Sequence, residues 1–370
     1  MSVSDGAYGA GDSGTLDSGA SPSLDSGADA VAVVPQTRAM LAVNASPDLD
    51  DIRLCVAAGG GGPTRWITNY AIPDDVNAPM PQSNYPGIPR GGGVVLPAIR
   101  ELGRGSVTVF AVRASMIIHD VPGSANARQC GDLICATSAA GCLNANAEYF
   151  QLPDVGPVPL ADGSYLLAVT GCIPSLFDPA GSVARCGPQY TPAGGNLGVT
   201  TAKLDTSAHA DPNQMGAQVA QLAPGIDDAF LPDGGSDAGV TVGYGPLGVD
   251  DAGAPLASSL RYLGVSALVS REVPSAMTEG LFASVGVTVS VDGRATPALA
   301  LTLAGIQKLS DPTELPDQFF KGQTSYLFAI VGDPTAPQQL TAPDGGLNAS
   351  YDGHGLHVIA LPTTLDDGTL

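Results

Sequence analysis

The sequence predicts an all-β protein in which one domain is repeated twice, and three observations carry that expectation. First, the chain states one pattern twice. Val43-Asn44-Ala45-Ser46-Pro47-Asp48-Leu49-Asp50-Asp51-Ile52-Arg53-Leu54 is echoed by Ala220-Gln221-Leu222-Ala223-Pro224-Gly225-Ile226-Asp227-Asp228-Ala229-Phe230-Leu231, and Ser164-Tyr165-Leu166-Leu167-Ala168-Val169-Thr170-Gly171 by Ser325-Tyr326-Leu327-Phe328-Ala329-Ile330-Val331-Gly332. Two matches in the same order imply two copies, each closing its own core. Second, Gly (48) and Pro (31) are abundant in 370 residues, which favours short strands joined by turns over helices. Third, no stretch shows a long, capped apolar stripe of helical period.

The strands follow from periodicity. Residues 285–292 alternate apolar with small or polar, and 106–113 do the same, with Val107 and Val109 matching Val287 and Val289. Tyr165 to Val169 and Tyr326 to Ile330 are apolar on both faces, the signature of a central strand. A closing strand follows each, at 197–202 and 356–361. Short strands between turn signals predict two tandem antiparallel β-sandwich domains of immunoglobulin- or transthyretin-like kind. The boundaries expected are a tether over 1–37, domain 1 over 38–208 and domain 2 over 209–370.

The tether reads Asp-Ser-Gly repeatedly and has no Lys or Arg, Arg38 being the first. Such a segment buries too little apolar surface to offset the entropy of ordering, so a flexible, self-repelling spacer is expected. It resembles the spacers behind the acylated cysteine of bacterial lipoproteins, which would place a lipid anchor upstream of residue 1. No run of the sequence is long enough to span a bilayer as a helix.

Lys plus Arg number 15 against 36 Asp plus Glu, a formal charge of -21. That surface repels phosphate backbones and anionic lipid, so nucleic acid is not an expected partner. Cations, cationic polymers and neutral glycans remain. The six cysteines, Cys55, Cys130, Cys135, Cys142, Cys172 and Cys186, all fall in the first copy. An even count spread over loops fits disulfides in an oxidising compartment. A zinc site at Cys130, Cys135 and Cys142 would lack the close pairing usual for structural zinc. Cys172–Cys186 is the favoured pair because it brackets one Pro/Gly-rich loop, and six cysteines allow fifteen connectivities.

Long Gly/Pro-rich insertions at 59–93, 120–163 and 233–258 are where a binding surface is expected. The first holds Trp66, the only tryptophan, with Arg65, Tyr70 and Tyr85 nearby. This group fits either a sugar-stacking contact or a plug at the end of the sandwich, and the plug is favoured. Asp50-Asp51 and Asp227-Asp228 recur in both copies. Clustered carboxylates before a strand suit Ca²⁺ or, more simply, a turn in which Asp bonds neighbouring amides.

Other motifs are declined on physical grounds. Gly9-x-Gly11-x-x-Gly14 has neither the strand before it nor the helix after it that dinucleotide binding requires. Gly11-Asp12-Ser13-Gly14 imitates a serine-nucleophile segment without an oxyanion hole or an oriented histidine. His119, His209, His354 and His357 form no catalytic grouping, and structural roles are expected for all four.

Val43-Asn44-Ala45-Ser46-Pro47-Asp48, leading into Ile52–Val56, resembles the opening of a bacterial domain-of-unknown-function family numbered 4397. Asn84-Tyr85-Pro86-Gly87 and Ser164–Gly171 also sit where that family has similar features. The resemblance covers most of 40–206 and, more faintly, 216–364. Arg53 and Phe230 stand where the family usually has an acidic residue, and copy two lacks Ser-Pro-Asp. The resemblance implies secreted or surface-exposed β-sandwich proteins with no established reaction, so no catalytic residue is carried over. The function expected is a non-enzymatic structural or binding module of the bacterial cell surface or matrix, its partner an envelope glycan or protein. The alternatives are a self-assembling fibre or sheath subunit and a carboxylate-based hydrolase.

Overall fold

The strands from Tyr165 and Tyr326 run through the middle of two sheets and are buried along their whole length. In this computed structural model the described residues are 37–59, 65–73, 87–99, 105–117, 128–135, 141–156, 163–175, 182–187, 189–207, 211–226, 239–248, 254–274, 279–294, 296–336 and 355–365. The expected tether lies outside them except for its last residue, Thr37, which belongs to a strand. Gln36–Leu370 forms one compact unit.

The first half contributes β1 (Thr37–Asn44), β2 (Ile52–Ala58), β3 (Gly93–Pro97), β4 (Val107–Arg113), β5 (Tyr149–Gln151), β6 (Tyr165–Thr170) and β7 (Gly198–Lys203). The second contributes β8 (Gln214–Gln221), β9 (Val240–Pro246), β10 (Ala254–Leu260), β11 (Val269–Glu272), β12 (Val285–Val291), β13 (Leu299–Thr302), β14 (Ser325–Val331), β15 (His357–Pro362) and β16 (Thr364–Leu365). Each half has an inner sheet, β3-β1-β6-β7 and β11-β8-β14-β15, and an outer one, β2-β4-β5 and β10-β9-β12-β13. β16 crosses back to pair with β1, Thr37 opposite Leu365.

The pairing corrects the expectation of purely antiparallel sheets. β1 and β6 are parallel, with Met40 opposite Tyr165, and so are β8 and β14, with Ala217 opposite Tyr326. In each half the chain leaves the inner sheet, builds outer strands and returns in its original direction, which is the long crossover that parallel neighbours need.

Alternation along the inner strands explains the doubly apolar sequence. Met40, Ala42, Tyr165, Leu167 and Val169 face a core shared with Leu54, Val56, Val107 and Val109 of the outer sheet. In the second half, Met215, Ala217, Tyr326, Phe328 and Ile330 share a core with Val240, Val242, Val287 and Val289. The intervening residues, Leu41, Val43, Leu166 and Ala168 from one half and Ala220, Leu222, Leu327, Ala329, Ile359 and Leu361 from the other, form a third cluster. The two inner sheets therefore bury their remaining faces on each other. Each large aliphatic side chain so enclosed contributes roughly 1.5–3 kcal/mol, so this seam is a core in its own right.

The repeated Ser-Tyr…Gly frame has a mechanical purpose. Tyr165 Oη accepts from the Ile99 amide at 3.0 Å, and Tyr326 Oη accepts from the Lys321 amide at 2.9 Å while donating to Phe319 O. Each hydroxyl pins the segment that closes its core. Gly171 and Gly332 end the strands at φ +77° and +94°, and a Cβ there would lie 2.3 Å from Asn196 O or 2.1 Å from Gly355 O. Only glycine meets both the conformation and the close approach.

Helices are short. The longest described, Leu303–Ser310, starts at Thr302, whose hydroxyl accepts from Gly305 N at 3.0 Å. It buries Leu303 and Ile306 against the second core.

Candidate functional site

All six cysteines are paired, which overturns the zinc alternative. Cys172–Cys186 is present as expected, with Cys55–Cys130 and Cys135–Cys142. The pairs explain why one half holds every cysteine. On the outer sheet of that half, Cys55, Ala57, Phe110 and Val112 turn outward and are covered by α1 (Cys130–Leu133), Ile134 and Trp66. The disulfide from Cys55 to Cys130 clamps this cover to the strand beneath it. The corresponding face in the second half is polar: Thr241 and Ser259 donate to the Asp292 carboxylate at 2.8 and 2.7 Å. It needs no cover.

Trp66 is half-buried on that outer face, its ring 5.3 Å from Phe110. Tyr70 is half-buried and Arg65 exposed, and Tyr85 lies outside the described residues. The aromatic group thus lies on the outer sheet's face.

Asp50 is exposed, and each of its carboxylate oxygens meets a guanidinium: Arg90 on one, Arg113 on the other at 3.2 Å. Asp51 stands immediately before β2, and Asp227 and Asp228 lie outside the described residues. Among the described residues no three His, Cys, Asp or Glu gather where a metal ion would sit. His119, His209 and His354 also lie outside the described residues, whereas His357 is buried at the start of β15.

The Ser-Pro-Asp turn proves to be a joint. Asp48 accepts the Ile173 amide through both oxygens, at 3.2 and 3.0 Å, and the Ser46 hydroxyl at 2.9 Å. It thereby ties the exit of β1 to the exit of β6. Burial pushes its carboxyl above the usual range, opposed by those hydrogen bonds and by the charges of Arg185 and Arg90. Pro47 O accepts from Arg185, which sits on α2 (Ser182–Cys186), and Arg185 pairs across the seam with Asp333 at 2.9 Å.

A cavity of about 680 Å³ opens at the end of the second half, lined by Asn213, Tyr244, Pro246, Arg271, Glu272 and Leu281 among others. β9 supplies the tyrosine, β11 the Arg-Glu pair and α3 (Glu279–Phe282) the exposed leucine. Tyr244 Oη donates to Glu272 O at 2.7 Å, and burial drives its phenol well above the ordinary tyrosine range. Arg271 donates to Ser270 O and Pro255 O. The lining is an apolar wall beside a fixed phenol, a fixed guanidinium and one exposed carboxylate. This is the make-up of a binding cleft: a few polar groups that orient, on an apolar floor. Sequence reasoning missed it, since Tyr244 and Arg271 belong to no motif and sit in two different sheets that meet only in the folded chain.

No family model matches the sequence, and no curated protein matches it. A crystal structure of a proposed adhesin from Bacteroides thetaiotaomicron aligns with 90% of this chain and 100% of its own at 8% identity, with a TM-score of 0.17. A score that low establishes no common fold.

Proposed function

We propose that the chain is two tandem β-sandwich domains of the immunoglobulin/transthyretin-like kind, the second a divergent copy of the first. Both belong to the bacterial domain-of-unknown-function family that the Ala-Ser-Pro-Asp opening resembles. The recurrence of one pairing scheme, β1 with β6 and β8 with β14, supports this. The protein acts outside the cell as a non-enzymatic structural or binding module, with the Tyr244–Arg271 cleft as its contact surface for an envelope or matrix glycan or protein. One observation carries the extracellular placement: every cysteine is closed into a disulfide, an outcome of oxidising compartments. Among the described residues that line the cleft one carboxylate is present, Glu272.

The test is a pull-down from the bacterial envelope under non-reducing conditions, with the intact protein and a Leu281→Arg variant. Retention of a specific glycan or protein that the variant releases is the expected result. An empty pull-down from both would refute binding and leave a spacer.

A further inference from the structure

We propose that His357 is a buried imidazolium that latches the two halves together, so that the seam loosens when the ring loses its proton. The side chain is 2% exposed. Its Nδ1 lies 2.7 Å from Gly355 O in the second half, and its Nε2 lies 2.8 Å from Gly91 O in the first. A carbonyl oxygen only accepts, so both ring nitrogens must donate, and only the protonated ring has two N–H groups. A neutral ring would turn a lone pair onto one of these oxygens.

Neither oxygen is free to retreat. Gly355 O is packed so closely on Gly332 that a Cβ there would lie 2.1 Å away. The turn carrying Gly91 is fixed by Gly91 N donating to Asn44 O at 2.8 Å and Asn44 N donating to Gly92 O at 3.0 Å.

Nearby charged groups among the described residues have partners of their own. Asp333 follows β14 and pairs with Arg185 of α2. Arg90, beside Gly91, pairs with Asp50. Asp48 accepts the Ile173 amide and the Ser46 hydroxyl. His354 lies outside the described residues. Burial alone favours the neutral ring, and two charge-assisted hydrogen bonds oppose it. The latch therefore contributes while the ring holds its second proton and is lost once rising pH removes it.

The experiment uses the whole chain labelled with ¹⁵N-histidine, read by two-bond proton–nitrogen correlation at pH 7.5. Both His357 nitrogens are expected to carry protons; one bare nitrogen would overturn the proposal. Thermal midpoints between pH 7 and 9.5 give the second readout. A drop of roughly 3–6 °C is expected in the native chain and none in His357→Gln. A flat native profile, or an equal drop in both, would overturn the latch. If the variant does not fold, the nitrogen spectrum of the native chain decides alone.

Discussion

Leu327→Ala is the sharpest test of the seam. Leu327 is fully buried, belongs to the second half, and points into the cluster shared with Leu41 and Leu166 of the first. Truncation removes its apolar contacts and leaves a cavity between sheets that cannot easily close, at a cost of about 2–5 kcal/mol. Against a urea slope of about 3 kcal/mol per molar, a loss of about 3 kcal/mol moves the midpoint by about 1 M. The chain has one tryptophan, Trp66, and it lies on the outer sheet of the first half. Its fluorescence therefore reports only the half that was not mutated. If the seam couples the halves, the Trp66 transition moves by the same ~1 M as the circular dichroism of the whole chain. A Trp66 midpoint left at the native value, with only part of the dichroism shifted, would show that the halves unfold independently and would refute the coupling.

Two further outcomes follow from the covering disulfide and the buried phenols. A Cys55→Ser/Cys130→Ser variant opens a loop of 75 residues, which loop entropy sets at about 4.5 kcal/mol. Trp66 emission should shift to the red as the cover lifts, and native emission with an unchanged melt would contradict the clamp. Burial pushes Tyr262 up to about 12, opposed by its hydrogen bond with Thr170, so ultraviolet difference titration should show a tyrosine ionising after the ordinary ones near 10. Because the folded value is the raised one, stability is whole below about pH 10 and falls as pH climbs toward about 12. A single tyrosine wave near 10 would contradict this.

The sequence displays the fold best where one face of a strand meets water. Val107 and Val109 match Val287 and Val289 because both pairs point into their own cores. Further along, the outward residues differ for a readable reason: Phe110 and Val112 are apolar under their stapled cover, while Ser290 and Asp292 are polar and half-buried. The short helix from Leu303 was also written in its residues, Thr302 as cap with Leu303 and Ile306 a turn apart. Eight residues, however, make a weak period. The seam was not readable. Leu166 and Leu327 announce only that both faces of a strand are buried, and a neighbouring sheet of the same domain would produce the same pattern. Nor does periodicity tell parallel from antiparallel neighbours, since the side-chain alternation is identical. The cleft was hidden for a third reason: Tyr244 and Arg271 converge only through β9 and β11, and neither residue is chemically conspicuous in its own stretch of sequence.

The matching turns of the two halves differ in sequence where both approach one helix. In the first, Ser46-Pro47-Asp48 binds β1's exit to Ile173 and offers Pro47 O to Arg185. Arg185 then reaches Asp333 of the second half. The matching turn in the second half meets the same helix from the other side. Gly225 there has φ +68°, and a Cβ on it would sit 2.1 Å from Ala184 O, one residue before Arg185. An aspartate at 225 would collide with the α2 backbone and add an acid beside the existing Arg185–Asp333 pair. Glycine at 225, where the first half has Asp48, therefore fits the close approach to α2. A side chain at 225 would meet the α2 backbone, so the acidic residue stands on one of the two matching turns only.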